Sequence, residues 1–333
     1  MVVILKFEVN FLNEIKVYKT YSRYLKDKFG EKVYKIPINL PVTCPNRDGN
    51  ISKGGCTFCG EEGGSFGSLC NTLNVREQMD KNIDYIGRRY KAKKFIAYFQ
   101  NFTNTYLELN KFKSYIRESI RENIVGISIS TRPDCINDEY LEFLEEIQRE
   151  HDLLITIELG LQTVNYHSLK KINRGHGLAE FIDASLRIKR YGFRVCAHLI
   201  LNLPWDNRLD TKENAKTLSA LGVDEIKLHA LYIVKGTRLG DQYEKNEFDM
   251  ITKEEYMSRV ILFLEHLDPS VVVQRIIGRA PREHVLFVNW DTSWWKIRDD
   301  IVSKMVEKGS YQGKEFNYLN GKALRNMNNY IVE

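Results

Sequence analysis

The sequence is poor in the features that mark several large classes of protein. Only 6 of its 333 residues are cysteine and only 7 are proline. Six cysteines in a chain of this length do not make a disulfide scaffold, so we expect a reducing cytoplasm as its location. No apolar run approaches the roughly 20 residues of a membrane span, and residues 1–6 carry no signal-peptide pattern. We therefore expect a soluble globular protein with no membrane partner.

A strong excess of charge of one sign is also missing. The formal net charge is +5, with 28% charged residues, which falls short of the bias that marks a nucleic-acid-binding domain. Two local basic clusters stand at the ends of predicted helices. These are residues 88–94 and the group Arg187, Lys189, Arg190 and Arg194. Cations at a helix C-terminus complement the helix dipole, and an RNA contact is the alternative. The clusters permit an anionic partner without requiring one.

What the sequence does contain is a compact group of three cysteines. Cys44, Cys56 and Cys59 have the spacing C-x11-C-x2-C, directly after a β-branched, alternating run at 33–40. Glycines follow at positions 60, 63, 64 and 67, and they let a backbone approach a bulky cofactor closely. A closed zinc site or an ordinary iron–sulfur cube takes four protein ligands. Three thiolates on one loop would leave one coordination position open for chemistry.

Three interpretations of these cysteines compete. In the first, they are unrelated buried thiols, since cysteine often behaves as a small hydrophobic residue. In the second, they form a zinc knuckle completed by a distant histidine. In the third, which the wider spacing after a first strand favours, they hold a [4Fe–4S] cluster with one iron free.

The rest of the chain alternates between short strand-like runs and amphipathic helical stretches. The predicted strands are 33–40, 94–100, 125–131, 153–161, 194–201 and 225–231; the predicted helices are 75–89, 106–122, 138–149, 164–191 in two pieces, 208–221 and 252–267. Six β-then-α units predict an α/β fold with a parallel sheet, namely a partial (β/α)6 barrel.

The two ends of the chain do not follow the βα pattern. We expect residues 1–32 to be an N-terminal extension, residues 33–267 the partial barrel and residues 268–333 a small C-terminal α/β cap. Within the cap, 271–278 is predicted as a strand and 296–307 as a helix. Trp290, Trp294 and Trp295 are expected to be packing residues, with a role as substrate platforms as the alternative.

Polar residues alternate along one face of the predicted strands. They are Tyr98, Gln100, Ser128, Ser130, Arg132, Thr156, Glu158, Gly160, Gln162, Cys196, His198, Asn202, Glu225, Lys227 and His229. Successive side chains of a strand point to opposite sides, so these residues share one interior. A dry core would not tolerate so many unpaired polar groups. The interior is therefore a wet or ligand-filled cavity, or else a self-satisfied hydrogen-bonded network.

Taken in order, the motifs resemble those of radical S-adenosylmethionine (SAM) enzymes, specifically the small Elongator-like branch of YhcC type. The matching stretches are 44–59, 126–134, 158–163, 172–176, 198–204, 227–229 with 235–237, and 274–275. Two positions depart from the pattern: Arg279 stands where an acid is expected, and the loop 203–206 lacks a second glycine. The acetyltransferase domain of the Elongator catalytic subunit has no counterpart here.

The resemblance implies a set of cofactors and site residues. Cys44, Cys56 and Cys59 would hold a [4Fe–4S] cluster whose free iron chelates SAM, and one electron would cleave SAM to a 5′-deoxyadenosyl radical. The implied SAM-binding residues are Phe58, Gln100, Ser130, Glu158, Gln162 and Arg174. The implied substrate-side, catalytic residues are His198, Lys227, His229 and Arg275, for which support of neighbouring residues is the alternative role.

The resemblance also bears on partners. It implies a low-potential electron donor of flavodoxin or ferredoxin type, and by analogy with Elongator a tRNA substrate modified at a wobble uridine. Because one fold hosts many functions, two alternatives stay open. One is the same chemistry on a small metabolite or peptide, and the other is a non-catalytic metal-binding scaffold.

Overall fold

The structure is a computed structural model that describes residues 17–60, 63, 68–279 and 283–325. Its strands are β1 (Val33–Ile38), β2 (Lys94–Phe99), β3 (Ile124–Thr131), β4 (Leu154–Gln162), β5 (Arg194–Ile200), β6 (Glu225–His229), β7 (Ile233–Val234), β8 (Val272–Arg275) and β9 (Val285–Phe287). Seven of them form one parallel sheet in the order β1-β2-β3-β4-β5-β6-β8, while β7 and β9 pair antiparallel. The predicted α/β partial barrel is confirmed, with one strand more than the six expected.

Helices connect and cover these strands. They are α1 (Tyr21–Phe29), α2 (Val75–Tyr90), α3 (Leu109–Glu118), α4 (Asp138–His151), α5 (Tyr166–Lys171), α6 (Leu178–Arg190), α7 (Arg208–Ala220), α8 (Arg238–Glu244), α9 (Lys253–His266) and α10 (Trp294–Glu307). Local sequence fixes several starts: the Asn74 side chain and Glu77 form a capping box on α2, and Asn137 caps α4. In the described part of the chain, none of these helices has both the length and the apolar character needed to cross a membrane.

The apolar half of each strand faces the helices. Ile127, Ile129, Ile155, Ile157 and Leu159 are fully buried on β3 and β4, and they belong to a continuous core with apolar side chains of the surrounding helices. The intervening positions point into the barrel. Burial of the outer face therefore fixes which residues line the interior.

The seventh strand comes from the segment predicted to form the cap. β8 pairs in parallel with β6, with Lys227 opposite Arg275. The reason is that β6 would otherwise leave an unpaired barrel edge, and the β-branched run at 271–273 completes it. The division into a barrel at 33–267 and a cap at 268–333 stays a prediction, but β8 shares the barrel sheet.

The described part of the N-terminal extension closes the barrel at its open edges. The backbone N–H of Val273 donates to Lys19 O at 2.8 Å, and Thr20 bridges Val273 in parallel. α1 then packs against both β8 and β1. Residues 1–16 of the predicted extension lie outside the described residues.

The two basic clusters lie away from the carboxyl ends of the strands. Residues 88–91 end α2 and precede β2, while Arg187, Lys189 and Arg190 end α6 and precede β5. Both helix ends therefore belong to the edge where the strands begin. With 6 residues in β2 and 7 in β5 and about 3.3 Å per residue, that edge lies about 20–23 Å from the opposite one.

Candidate functional site

A cavity of about 700 Å³ reaches from the carboxyl ends of the strands into the barrel. All of the site residues predicted from the sequence line it. They are Cys44, Cys56, Phe58, Cys59, Gln100, Ser130, Glu158, Gln162, Arg174, His198, Lys227, His229 and Arg275. The fold brings together residues more than 200 positions apart in sequence, and the role of each stays a prediction.

The cysteine loop is held by its own backbone and by a second loop. The N–H of Arg47 donates to Cys44 O at 2.8 Å, and the N–H of Cys59 donates to Cys56 O at 2.9 Å. Gly55 has φ +84°, a backbone conformation that favours glycine. Its carbonyl accepts a hydrogen bond from Nδ2 of Asn173 at 2.9 Å. The segment 172–176 thus packs against the cysteine loop, which brings two of the sequence motifs into contact.

Polar donors surround the cysteine sulfurs. Arg174 Nη1 lies 3.5 Å from Cys56 Sγ, Arg47 Nη1 lies 3.4 Å from Cys59 Sγ, and Asn46 Nδ2 lies 3.7 Å from Cys56 Sγ. Burial raises the pKa of the Cys59 thiol and the nearby Cys56 adds to this, while Arg47 opposes it. N–H groups aimed at sulfur, two of them cationic, suit thiolates that bind a metal cluster.

The distances between the cysteine sulfurs distinguish a site for a single zinc ion from a site for an iron–sulfur cluster. Thiolates around one zinc ion, each about 2.3 Å from the metal, stand about 3.8 Å apart. Among the described residues, the group of three or more ligand atoms within 4.8 Å of one another is Glu158, Cys196 and His198. Cys44, Cys56 and Cys59 do not form such a group. At least one pair of these sulfurs is therefore more than 4.8 Å apart, which suits a multi-iron cluster better than a single ion.

Arg174 is fixed beside the cysteines by β4. Its Nη2 and Nε donate to Gly160 O at 2.8 and 3.2 Å. A Cβ added at Gly160 would lie 2.5 Å from that Nη2, so only glycine leaves room for the guanidinium. Two residues on, Gln162 has φ +76° at a register shift between β4 and β5. Such a strained residue at a strand end is typical of a functional site.

Glu158 is the centre of the buried polar network. Its side chain is fully buried, and Oε2 accepts hydrogen bonds from Lys227 Nζ at 2.6 Å and His198 Nε2 at 2.7 Å. Oε1 accepts from Ser128 Oγ at 2.7 Å, from Gln274 Nε2 at 3.4 Å and from Lys35 Nζ. Both oxygens are therefore occupied, and Glu158 fixes the positions of its neighbours.

Burial and neighbouring charges set the protonation states in this network. Burial alone would raise the pKa of Glu158, but Lys227 and Lys35 outweigh it and hold that pKa well below 4.5. Burial and Lys227 lower the pKa of His198 to about 4. Because a carboxylate only accepts, neutral His198 carries its proton on Nε2 and leaves Nδ1 as an acceptor. Burial and Arg275 likewise hold the pKa of His229 well below 6.5.

The polar face of the strands therefore serves two purposes at two depths. Near the carboxyl ends it lines the cavity, whereas Ser128 and Glu225 lie deeper. There, Glu225 accepts from Arg194 Nε at 2.6 Å and from Gln274 Nε2 at 2.6 Å. The interpretations of a ligand cavity and of a self-satisfied network both apply, because Glu158, His198 and Lys227 line the cavity and also belong to the hydrogen-bonded network. With two lysines on Glu158, the Glu158–Cys196–His198 group does not suit a cation.

Sequence reasoning missed several residues of the site. Lys35 lies on β1, where the same alternation with Ile36 and Ile38 would have found it. Tyr232 and Arg47 line the cavity from loops, where no periodic signal exists. Cys135 follows β3 near Cys44; burial and Asp134 raise the pKa of its thiol to about 12, with a contribution from Cys44.

The tryptophans of the C-terminal segment differ from one another. Trp290 packs on Tyr256 and donates from Nε1 to Ile251 O at 2.7 Å, as expected of a packing residue. Trp294 lines the cavity, with the guanidinium of Arg298 5.6 Å from its ring centre. Trp295 is 51% exposed, so the expectation that it packs is wrong: it lies on the outer side of the first turn of α10.

Comparison with known proteins gives two family matches. The model described as "Radical SAM superfamily" matches residues 43–218, and the one described as "Radical_SAM C-terminal domain" matches residues 223–307. The Bacillus subtilis protein YtqA is 35% identical over 308 residues, which cover 92% of this chain and 95% of YtqA. YhcC of Escherichia coli K12 is 33% identical over 296 residues, which cover 88% of this chain and 94% of YhcC.

More distant similarities involve larger proteins. A tRNA uridine(34) acetyltransferase of Methanocaldococcus infernus is 26% identical over 160 residues, 47% of this chain and 29% of that protein. Among solved structures, Elp3 of Methanocaldococcus infernus with an N-terminal deletion superposes with a TM-score of 0.65 at 18% identity. The superposition covers 84% of this chain and 64% of that one. At this identity the structural match describes the fold alone.

Proposed function

The chain belongs to the radical SAM superfamily and to its small Elongator-like branch, and we propose that Cys44, Cys56 and Cys59 hold its cluster for the reductive cleavage of SAM. Family membership makes the chain an enzyme whose cofactors are a [4Fe–4S] cluster and SAM. The observation that carries the proposal is the joint lining of one cavity by three separated thiols and a set of inward-facing polar side chains.

The residues around the cysteines fit a cluster of this kind. Three thiolates leave one iron without a protein ligand, and Arg47, Arg174 and Asn46 aim N–H groups at two of the sulfurs. When bound there and reduced, the cluster supplies the electron that cleaves SAM to methionine and a 5′-deoxyadenosyl radical, which abstracts hydrogen from the substrate. The basic side chains would offset the negative charge of the sulfur ligands.

The other cavity residues would bind and orient SAM and substrate. Phe58 would pack against adenine, while Gln100, Ser130 and Gln162 would contact the polar groups of SAM. Arg174 already lies between Gly160 O and Cys56 Sγ, a position from which its charge reaches both the cluster and the SAM carboxylate. Glu158, predicted as a SAM contact, would instead act through Lys227 and His198, which it holds toward the substrate side.

We propose a uridine in tRNA as the substrate. The support is the similarity to a protein named tRNA uridine(34) acetyltransferase. The basic clusters at the ends of α2 and α6 do not add to it, since they stand at the edge where the strands begin. A tRNA loop would enter from the other edge, past Trp294 and Arg298, where an aromatic face and a guanidinium suit a base and a phosphate. A flavodoxin- or ferredoxin-type protein in the cytoplasm would supply the electron.

The cofactor chemistry is tested with the anaerobically reconstituted protein. Dithionite and SAM should yield 5′-deoxyadenosine, and Cys59→Ala should abolish both its formation and the iron content. Cys70→Ala is the matched control, because Cys70 is exposed and does not line the cavity; it should behave as wild type. Equal loss of 5′-deoxyadenosine formation and iron content in both variants, or no loss in Cys59→Ala, would refute the assignment of Cys59 as a cluster ligand.

The substrate is tested separately by comparing modified nucleosides in tRNA from cells with and without the gene. Loss of one modified uridine in the deletion strain, restored by the wild-type gene and not by Cys59→Ala, is the expected result. Unchanged tRNA nucleosides would reject tRNA and favour a metabolite or peptide.

A further inference from the structure

The cavity has two chemically different sides. The cysteines, Gln100, Ser130 and Gln162 come from the loops and ends of β1 to β4, whereas His198, Lys227, His229 and Arg275 come from β5, β6 and β8. On the proposed function, the first side takes SAM. The second side is therefore available for the substrate, and the charge of this side indicates which charge the substrate carries.

Most buried cations of the barrel have an anionic or carbonyl partner. Lys35 and Lys227 pair with Glu158, and Arg194 pairs with Glu225. Two further cations follow the same rule: Arg132 pairs with Asp134, and Arg174 donates to Gly160 O. These contacts satisfy the cations without any ligand.

Arg275 differs from this set. Its Nη2 lies 2.8 Å from Nδ1 and 3.2 Å from Nε2 of His229, a neutral imidazole, and among the described residues its buried Nε has no hydrogen-bond partner. A Cβ added at Gly278 would lie 2.9 Å from Arg275 Cζ and 3.1 Å from Nη2, so bare backbone covers one face of the guanidinium. The side chain is thus held in place with a donor left unused.

The charges around Arg275 do not balance. Lys35, Lys227 and Arg275 contribute three positive charges to the network, and Glu158 contributes one negative charge. Burial keeps the phenols of Tyr98 and Tyr232 neutral by raising their pKa, and His229 is neutral as well. A buried cation without a counter-charge is costly, so an anion is favoured at this place.

We propose that Arg275 binds an anionic group of the substrate, a carboxylate or a phosphate, on the side of the cavity away from the cysteines. His229 orients the guanidinium by accepting its Nη2 hydrogen bond. An Nε–Nη edge presents two parallel donors, which is the geometry that holds such groups in a bidentate manner. This inference rests on the proposed function only in assigning the first side of the cavity to SAM.

The test uses the anaerobic holoprotein and two simple probes, acetate and inorganic phosphate. Thermal unfolding is followed in chloride and in each probe at equal ionic strength and pH. A saturable rise of the unfolding midpoint in acetate indicates a carboxylate pocket, and a rise in phosphate alone indicates a phosphate pocket. Arg275→Gln should remove the rise, while Arg190→Gln, an exposed arginine at the end of α6, should keep it.

Two results would overturn the inference: no rise with either probe in wild type, or an equal rise in Arg275→Gln. If Arg275→Gln does not fold, Arg275→Lys serves instead, because it keeps the charge but loses the two-donor edge; the probe concentration at half-effect should rise about tenfold. Formation of 5′-deoxyadenosine by the same wild-type preparation tests the proposed function separately. A preparation that cleaves SAM but ignores both anions rejects the pocket alone.

Discussion

Replacing Glu158 by glutamine should be among the most destabilising single changes in the barrel. The substitution keeps the size of the side chain but removes the negative charge that Lys227 and Lys35 share. Those two ammonium groups would remain buried without a counter-charge. Breaking a buried ion pair from one side costs about 3–5 kcal/mol, and the hydrogen bonds that glutamine retains keep the loss within that range.

The expected change can be expressed as a shift of the unfolding midpoint. An unfolding entropy of about 2.1 cal/mol/K per residue gives about 0.7 kcal/mol/K for 333 residues. A loss of about 3–5 kcal/mol then lowers the midpoint by about 4–7 °C. Differential scanning calorimetry of the cluster-free protein at pH 7 measures it without interference from cofactor loss.

A surface ion pair provides the control. Glu213 lies 2.7 Å from Lys216, with side chains 44% and 35% exposed, so Glu213→Gln should shift the midpoint by less than about 1 °C.

The pH dependence of the unfolding midpoint adds a second check. Since the pKa of Glu158 is held well below 4.5, its contribution is complete above pH 4.5 and disappears as the pH falls below that value, so the wild type and Glu158→Gln should converge in acid. Equal midpoints of Glu158→Gln and Glu213→Gln at pH 7 would refute the reasoning.

Three further predictions follow from particular contacts. Gly160→Ala should displace Arg174, because the new Cβ would lie 2.5 Å from its Nη2; 5′-deoxyadenosine formation should fall at least about tenfold, and unchanged formation would contradict the positioning role. The pKa of His198 is lowered from 6.5 to about 4. The stability of the wild type should therefore fall as the pH drops from 6.5 to 4, and His198→Asn should flatten this part of the plot of stability against pH, measured by acid denaturation. Tyr21→Phe should leave the midpoint unchanged or raise it, since among the described residues the buried hydroxyl of Tyr21 has no partner; a loss above about 1 kcal/mol would reveal one.

Much of the fold follows from the sequence because two periodic signals are strong. β-branched runs separated by amphipathic helices predict each βα unit, and each of the six predicted barrel strands is within two residues of its observed ends. The apolar half of each strand, such as Ile127 and Ile129, alternates with the polar half and so predicts the lined interior. The seventh strand was predicted as a strand but not as part of the barrel. Its pairing with β6 depends on tertiary contacts, which the periodicity of the sequence does not encode.

The sequence predicts which residues line the site but not how they are hydrogen-bonded to one another. Cysteine spacing and strand alternation predict that Cys44, Glu158 and Lys227 face one cavity. They do not predict that Glu158 has both oxygens occupied, which depends on Lys35 and Gln274 from the two edge strands. They also miss the role of Gly160, since the space that Arg174 needs arises only when a loop folds back on β4.

The central claim is that three cysteine thiolates leave one iron of the cluster open to SAM. Electron paramagnetic resonance of the dithionite-reduced, reconstituted protein tests it most directly, with spectra recorded before and after addition of SAM. We predict a reduced [4Fe–4S] signal whose g-values shift when SAM binds the open iron. A protein without that signal, or a cluster signal that SAM leaves unchanged, would contradict the account.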